Sequence, residues 1–587
     1  MPGSIELVAS GDMPDTQAIS TSDDDLLPSY TSFSPIHSLP DELMSLIFAF
    51  AVPHAIFSSM IFPPKEWWSI PWVNRHFRRI ALQTPRFWAA PVFKSEGLLD
   101  HMLSHSGAAP LTVCFDDRCH GLLEKKGRHG NLGLILLAKA LEHLPRIENL
   151  TLYGNRQTVE RSRQLLEGRD AALTMRHCSI TCYEGWDTLE PAMQEDMPRD
   201  ITFRDDLFDG QAPHLRSLQL HDAQILWTCP ILGPSIVTLV LTAPPILPAL
   251  AAMLEALARM PKLRHLVMLP GLPSDDSSPN VPSYVAESVE LPQLRHCIFV
   301  IDLEDAQALL EALVMPQTTE MRTICHAPGD MDNATPVEPM AQGLHRWYAQ
   351  QQPTVPFARL LALRIQTYTT SSWDNLRIST SWEQQPDLLS DSGPSRAPDA
   401  PTLAGLSADV VTAHLHGSDL LLSSATVLLR SLPLSNIREL IVDYGLHGVT
   451  PAWWRDIAEF LPSLDTVVLH GHNASDSFFE VLAYSQTLSS AGDNDSEALP
   501  LFRSVRNVSL IGLDLAYPPR CTSVARGLRQ MERAQRKVQT LCLRGCNMPR
   551  MRLLELQVHV ETMIMDERKR EPEPEEPLAW SFRVQDF

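Results

Sequence analysis

At 587 residues the chain is too long for one ordinary compact core, so several domains or a repeat array are expected. With 44% hydrophobic and 20% charged residues it reads as a folded protein, and its net charge of −22 argues against nucleic-acid backbones or anionic membranes as general partners. The longest apolar run, 132–138, is too short to span a bilayer. No basic-then-apolar leader opens the chain, and the ten cysteines are scattered. A soluble protein of the cytosol or nucleus with free thiols is the expectation.

Residues 1–34 are rich in Ser, Asp, Thr and Pro and offer little to bury, which predicts a disordered arm. A helix is predicted next. Ser38 suits its N-cap, Pro40 its first turn, and Asp41 and Glu42 the positive end of its dipole. Leu39, Leu43, Leu46, Ile47 and Phe50 recur at helical spacing and predict one apolar stripe. Val52-Pro53 ends it, and Pro63-Pro64 marks a loop. A second helix is predicted from about Trp67 or Pro71 to Leu82, with Val73, Phe77, Ile80 and Ala81 inward and Arg75, Arg78 and Arg79 mostly outward. Thr84-Pro85 stops it, and Phe87-Trp88 supplies an aromatic plug.

From about Phe93 one pattern, hxxLxL, keeps returning. It starts at Ile147, Leu215, Ile236, Leu263, Leu294, Leu360, Ile437, Leu464, Val505 and Val538. A proline often precedes it, as at Pro145, Pro213, Pro261, Pro292 and Pro462. Successive starts at 236, 263 and 294 are 27 and 31 residues apart, and 437 to 464 and 505 to 538 are 27 and 33. An apolar period of two at such intervals predicts one short strand per unit, with a helix returning to the next. Helices are predicted at 247–260, at 306–315 behind Asp302 or Glu304, and after Thr450-Pro451, where Trp453, Trp454, Ile457, Phe460 and Leu461 share a face. Three Ser-, Asp- and Pro-rich stretches, 274–288, 367–401 and 489–497, read as disordered insertions, the longest splitting the array in two. An acidic, Pro-rich tail is expected over 561–587.

Chemistry is sparse. Cys114 with Cys119-His120, His177-Cys178 with Cys182, and Cys542 with Cys546 are loosely spaced and lack the paired-pair form of a zinc site. Small core residues explain them better, and Cys297 stands where a core leucine is expected. His470-Gly471-His472 sits just after a strand without a recognisable catalytic partner. No phosphate-binding, dinucleotide or zinc-protease motif is present. The expectation is a non-catalytic protein without cofactor or metal.

Leu39-Pro40-Asp41-Glu42-Leu43 with Ile47-Phe48, then Val73-x-Arg75-x-Phe77-Arg78-x-Ile80-Ala81, then Thr84-Pro85-x-x-Trp88, resembles an F-box domain. The variant is the one common in fungal F-box proteins, with a long middle insertion; between Ala49 and Ile70 the usual Leu-rich middle helix is replaced. The following units resemble irregular leucine-rich repeats, whose structural asparagine is matched at Asn155, Asn473 and Asn547. The resemblance implies an α/β protein: a small all-α bundle at 35–93 followed by a βα solenoid over 94–560. It implies docking of a Skp-type adaptor, and through it a cullin–RING ubiquitin ligase, by Leu39, Pro40, Leu43, Ile47, Phe48, Val73, Phe77 and Ile80. The repeats would hold an unidentified target protein. An F-box scaffold working outside the ligase is the alternative.

Overall fold

A segment that alternates apolar and other residues suits a pleated strand with one face on a core. The computed structural model describes residues 35–51, 69–118, 132–168, 171–183, 201–242, 250–269, 288–316, 319–327, 337–350, 362–369, 373–381, 406–413, 418–432, 434–442, 449–484 and 501–566. Within them every hxxLxL segment is on a strand. These are β2 (Ile147–Asn155), β5 (Ser217–His221), β7 (Thr238–Thr242), β8 (His265–Leu269), β10 (His296–Asp302), β13 (Ala362–Thr369), β16 (Glu439–Val442), β17 (Thr466–His470), β18 (Asn507–Ile511) and β19 (Val538–Arg544).

All of them share one sheet with β1 (Leu111–Asp116), β3 (His177–Tyr183), β12 (Glu320–Ala327), β14 (Trp373–Ser381), β15 (Leu406–Ala413) and β20 (Val560–Asp566). Its sixteen strands run β1-β2-β3-β5-β7-β8-β10-β12-β15-β14-β13-β16-β17-β18-β19-β20, open at β1 and β20. Neighbours are parallel except at β14, which is antiparallel to both β13 and β15. Two short parallel pairs stand apart: β4 (Thr202–Phe203) with β6 (Gln224–Ile225), and β9 (Val289–Glu290) with β11 (Leu313–Val314).

Parallel neighbours require crossovers, and helices supply many of them. In chain order the helices are α1 (Asp41–Ala51), α2 (Ile70–Val73), α3 (Arg75–Gln83), α4 (Glu96–His105), α5 (Leu132–Leu141), α6 (Arg156–Leu166) and α7 (Leu250–Ala258). Then come α8 (Leu303–Ala312), α9 (Glu338–Gln350), α10 (Ser418–Ser431), α11 (Pro451–Phe460), α12 (His472–Tyr484), α13 (Pro518–Arg533) and α14 (Arg550–Gln557). From α7 to α14 each helix packs on the next. The fold is therefore mixed α/β with a mostly parallel sheet. No helix among the described residues is long and apolar enough to cross a membrane.

The recurring proline has a geometric role. The N–H of Leu215 donates to Ala212 O, that of Leu263 to Met260 O, that of Leu294 to Leu291 O and that of Leu464 to Leu461 O, at 3.0, 3.1, 3.2 and 3.3 Å. Each closes a turn with proline in its second position, where a φ near −65° is already set. The turn aims the chain into the strand. Register then aligns Leu150, Cys178, Leu218, Leu239, Leu266, Cys297 and Met321 across seven strands, all buried in the main core. Cys297 fills a leucine's place in this row, as expected, and burial raises its thiol well above the ordinary value.

Several expectations need correction. Residues 367–401 were expected to be a loop, yet 373–381 form β14, bonded on both sides, with Ile378 buried opposite Ile365. The sheet is thus continuous where a split was expected, because β13, β14 and β15 form a meander that joins β12 to β16. Residues 382–401, 274–287 and 489–497, the arm 1–34 and the tail from 567 lie outside the described residues. The last strand runs to Asp566, past the boundary expected at 560. The helix expected at 306–315 spans Leu303–Ala312, and Leu313–Val314 pairs with β9 instead. The helix behind Thr450 is as expected: the Thr450 hydroxyl accepts from Trp453 N–H at 3.3 Å, and Trp453, Trp454 and Ile457 are buried.

Two tests follow from this packing. Gly527 on α13 lies against α12: a Cβ there would sit 2.7 Å from Phe479 Cδ1 and 2.9 Å from its carbonyl oxygen. Gly527→Ala gains ~1 kcal/mol of helix propensity and incurs ~1–3 kcal/mol of overpacking. A lowered urea midpoint is expected, and a raised one would refute this account of the contact. The second concerns His221, whose imidazole burial pushes from 6.5 down to about 4. Between those values the unfolded chain binds the proton and the folded chain does not, so stability falls as pH drops through this window. Urea midpoints at neutral and mildly acid pH should differ less for His221→Gln than for the parent.

Candidate partner-docking surface

The N-terminal helices build their own small core. In α1, Met44 and Phe48 are one helical turn apart and are 0% and 2% exposed. The second helix is not continuous. Asn74 is extended, with φ −160° and ψ 173°, and its Oδ1 accepts from Phe77 N–H at 2.7 Å. A side chain that satisfies a helix's first donors starts a new helix, so the expected single helix divides into α2 and α3. Phe77, Ile80 and Ala81 of α3 then face Phe48. Thr84 ends α3, donating its hydroxyl to Ile80 O at 2.8 Å.

The 3₁₀ turn Pro85–Trp88 closes this core as expected of the aromatic plug. Phe87 is fully buried, and the Trp88 indole N–H donates to Ala81 O at 2.7 Å. Phe48 lies 5.4 Å from Phe77 and 5.9 Å from Phe87, centroid to centroid, with the Phe77 contact edge-on. Asp41 meets Arg79 at 3.0 Å and His76 at 3.4 Å on the surface, where such pairs contribute little. Helix α4 joins the two cores. Its Met102 belongs to the helical cluster and its Leu99 and Leu103 to the sheet's.

Several large apolar side chains remain outside, among exposed charged ones such as Glu42, Arg75 and Arg79. On α1, Leu43, Leu46, Ile47 and Phe50 are 47%, 52%, 44% and 79% exposed. On α2, Trp72 and Val73 are 73% and 63% exposed, and the Arg78 guanidinium lies 5.2 Å from the Trp72 ring. The stripe predicted on α1 exists, but Leu43, Leu46, Ile47 and Phe50 form the solvent-facing side, while Met44 and Phe48 face the core. Val73 was expected inside and is outside, because the break at Asn74 separates it from Phe77.

The residues expected to dock a partner therefore divide. Leu43, Ile47, Val73 and Pro40 are exposed, and Leu39 is half-buried against the core. Phe48, Phe77 and Ile80 are core residues with no face to offer. Trp72, Leu46 and Phe50 were not expected as docking residues. For Leu46 and Phe50 the signal was their place in the α1 stripe; for Trp72 no signal was available.

Burial pushes Cys178 up to about 12, and burial with Asp116 nearby pushes Cys114 up to about 11, so both stay protonated near neutral pH. No three of His, Cys, Asp and Glu come together as a metal-ligand group among the described residues. Cys119 and His120 lie outside them. His470 is buried, Gly471 takes a φ of +86°, and burial with Arg520 nearby pushes His472 below its usual value. Asn155, the last residue of β2, caps α6 with its side chain, accepting from Thr158 N–H at 3.0 Å. Asn547 donates to Asp514 Oδ1 at 3.0 Å on the surface.

No protein-family model matches the chain, and no curated protein matches it either.

Core and surface roles predict opposite responses. Phe77→Ala should cost ~3–5 kcal/mol by opening a cavity, whereas Trp72→Ser should change stability by less than ~0.5 kcal/mol. Hydrogen exchange of the α1 and α3 amides reads both. Exchange in Phe77→Ala no faster than in the parent would contradict the core assignment.

Proposed function

We propose that the chain is an F-box protein, a substrate-recognition subunit of a Skp–cullin–F-box ubiquitin ligase acting in the cytosol or nucleus. Helices α1 and α2 dock a Skp-type adaptor, and the sheet is an irregular leucine-rich-repeat array that holds a target protein. The observation carrying this reading is the exposed apolar surface of Leu43, Leu46, Ile47, Phe50, Trp72 and Val73 on a core of its own. So much apolar area on one small helical unit favours an occupant. It coincides with the segment whose motifs resemble the family, and the Leu43, Ile47 and Val73 positions belong to both. The contribution of such a subunit is proximity: fixing a target near a loaded enzyme raises its effective concentration without chemistry from this chain.

A pull-down tests the reading. The full chain should retain a Skp-type adaptor and a cullin. Retention should be lost on replacing Pro40 and Ile47, or on Leu43→Glu with Val73→Glu, while hydrogen exchange of the sheet is unchanged. Retention indifferent to these substitutions would overturn the interface. Retention of the adaptor without the cullin would favour a scaffold outside the ligase.

A further inference from the structure

Acidic residues outnumber basic ones 70 to 48 in this chain, so a run of exposed cations is conspicuous. One lies along the N-terminal edge of the sheet. The residue entering β3 is Arg176, and the second positions of the next hxxLxL units are Arg216, Val237, Arg264 and Arg295. Backbone bonds tie them in series. Arg216 N–H donates to Arg176 O, Val237 to Arg216 O, Arg264 to Val237 O and Arg295 to Arg264 O, at 2.8, 2.7, 2.8 and 2.8 Å. They therefore stand one strand spacing apart, and the row from Arg176 to Arg295 spans roughly 19 Å, four steps of ~4.8 Å.

All four arginines are exposed. Arg176 meets Glu148 at 3.1 Å, while Arg216, Arg264 and Arg295 have no ion pair among the described residues. Beside them His265 and His296 stack with centroids 4.9 Å apart and planes 8° from parallel. Burial, His296, Arg295 and Arg264 all push the His265 imidazole down. Glu148 heads the same row, its carbonyl accepting from Arg176 N–H at 2.7 Å, and beyond it the row's charged residues are all arginines on a protein of net charge −22. With a Debye length of ~8 Å at physiological salt, a close ligand feels the row more than the net charge.

The C-terminal half provides an internal contrast. Its equivalent row is Arg438, Asp465, Arg506 and Gln539, tied by the same bonds, each 2.8 Å. There Asp465 stands between the two arginines and approaches Arg506 at 3.8 Å, so one acid offsets one of the two cations.

We propose that the N-terminal edge of β3, β5, β7, β8 and β10 is a docking site for an acidic, extended peptide segment, held by Arg216, Arg264 and Arg295. The inference rests on the reading of the sheet as the part that holds a target. A row of ~19 Å matches about six extended residues at ~3.3 Å each. A short acidic segment fits that length, whereas a long polyanion would also meet the repulsion of the whole chain.

The test uses the full-length chain and a fluorescein-labelled peptide of alternating Glu and Val, followed by fluorescence anisotropy. The peptide should bind at low salt and be released as salt rises. Arg216→Glu, Arg264→Glu and Arg295→Glu together should weaken binding about tenfold or more, while Arg438→Glu with Arg506→Glu should leave it unchanged. No binding, equal binding by the triple variant, preference for a Lys–Val peptide, or preference for a single-stranded RNA would each overturn the proposal. Adaptor retention by the same triple variant separates the two readings. Retention kept while peptide binding is lost supports the arginine edge, and retention absent in the parent strikes the docking helices instead.

Discussion

A parallel strand cannot reach its neighbour through a tight turn. Its chain must leave the sheet, cross over one face and return, and that constraint governs most of this molecule. Between hxxLxL units whose strands are sheet neighbours, the meander aside, starts lie 21 to 41 residues apart, from 215 to 236 and from 464 to 505. The same constraint puts the crossing helices on the leucine face, where α7 to α14 pack in series and the aligned row from Leu150 to Met321 is buried beneath one continuous core. Neighbouring strands share that core, so each one's apolar face is covered jointly with those beside it. Among the described strands the meander β13–β14–β15 departs from this crossover pattern and keeps the sheet continuous. With two reversals β15 and β13 still run parallel to the strands they meet, β12 and β16.

The N-terminal helices obey a different constraint. So short a segment buries little, and here its larger apolar side chains are spent twice. Met44, Phe48, Phe77, Ile80, Phe87 and Trp88 close a core, and Leu43, Leu46, Ile47, Phe50, Trp72 and Val73 remain outside. Asn74 is the residue that permits this. By capping α3 it turns Val73 and Trp72 away from the line of Phe77 and adds them to the outer surface. Helix α4 then fastens the unit to the sheet by giving one face to each core.

Charge is distributed with similar unevenness. The total of −22 describes the average surface, and by itself it favours basic partners. The edge formed by Arg216, Arg264 and Arg295 has the opposite sign, while the corresponding edge near Arg438 and Arg506 is tempered by Asp465. Screening makes such local differences count at binding distance.

The strands of the hxxLxL units were legible because a period of two, preceded by a proline turn, is a local pattern that local geometry must obey. Thr450 as a cap and Cys297 as a core residue were legible for the same reason. Strands β3, β14 and β20 were not. β3 carries Cys178, Ile180 and Cys182 in place of leucines, and β14 lies in a stretch whose composition resembles a loop until neighbours pair with both its edges. The helical spacing of Leu43, Leu46, Ile47 and Phe50 likewise showed that they share a face. Which face meets the core is decided by Phe77, Ile80, Phe87 and Trp88, which arrive from elsewhere in the chain. The sequence by itself determined the repeating strand and its turn, because these follow from bonds between near neighbours. Only the tertiary structure decided which apolar face is left exposed and which arginines stand in a row, because both depend on what distant segments bring alongside.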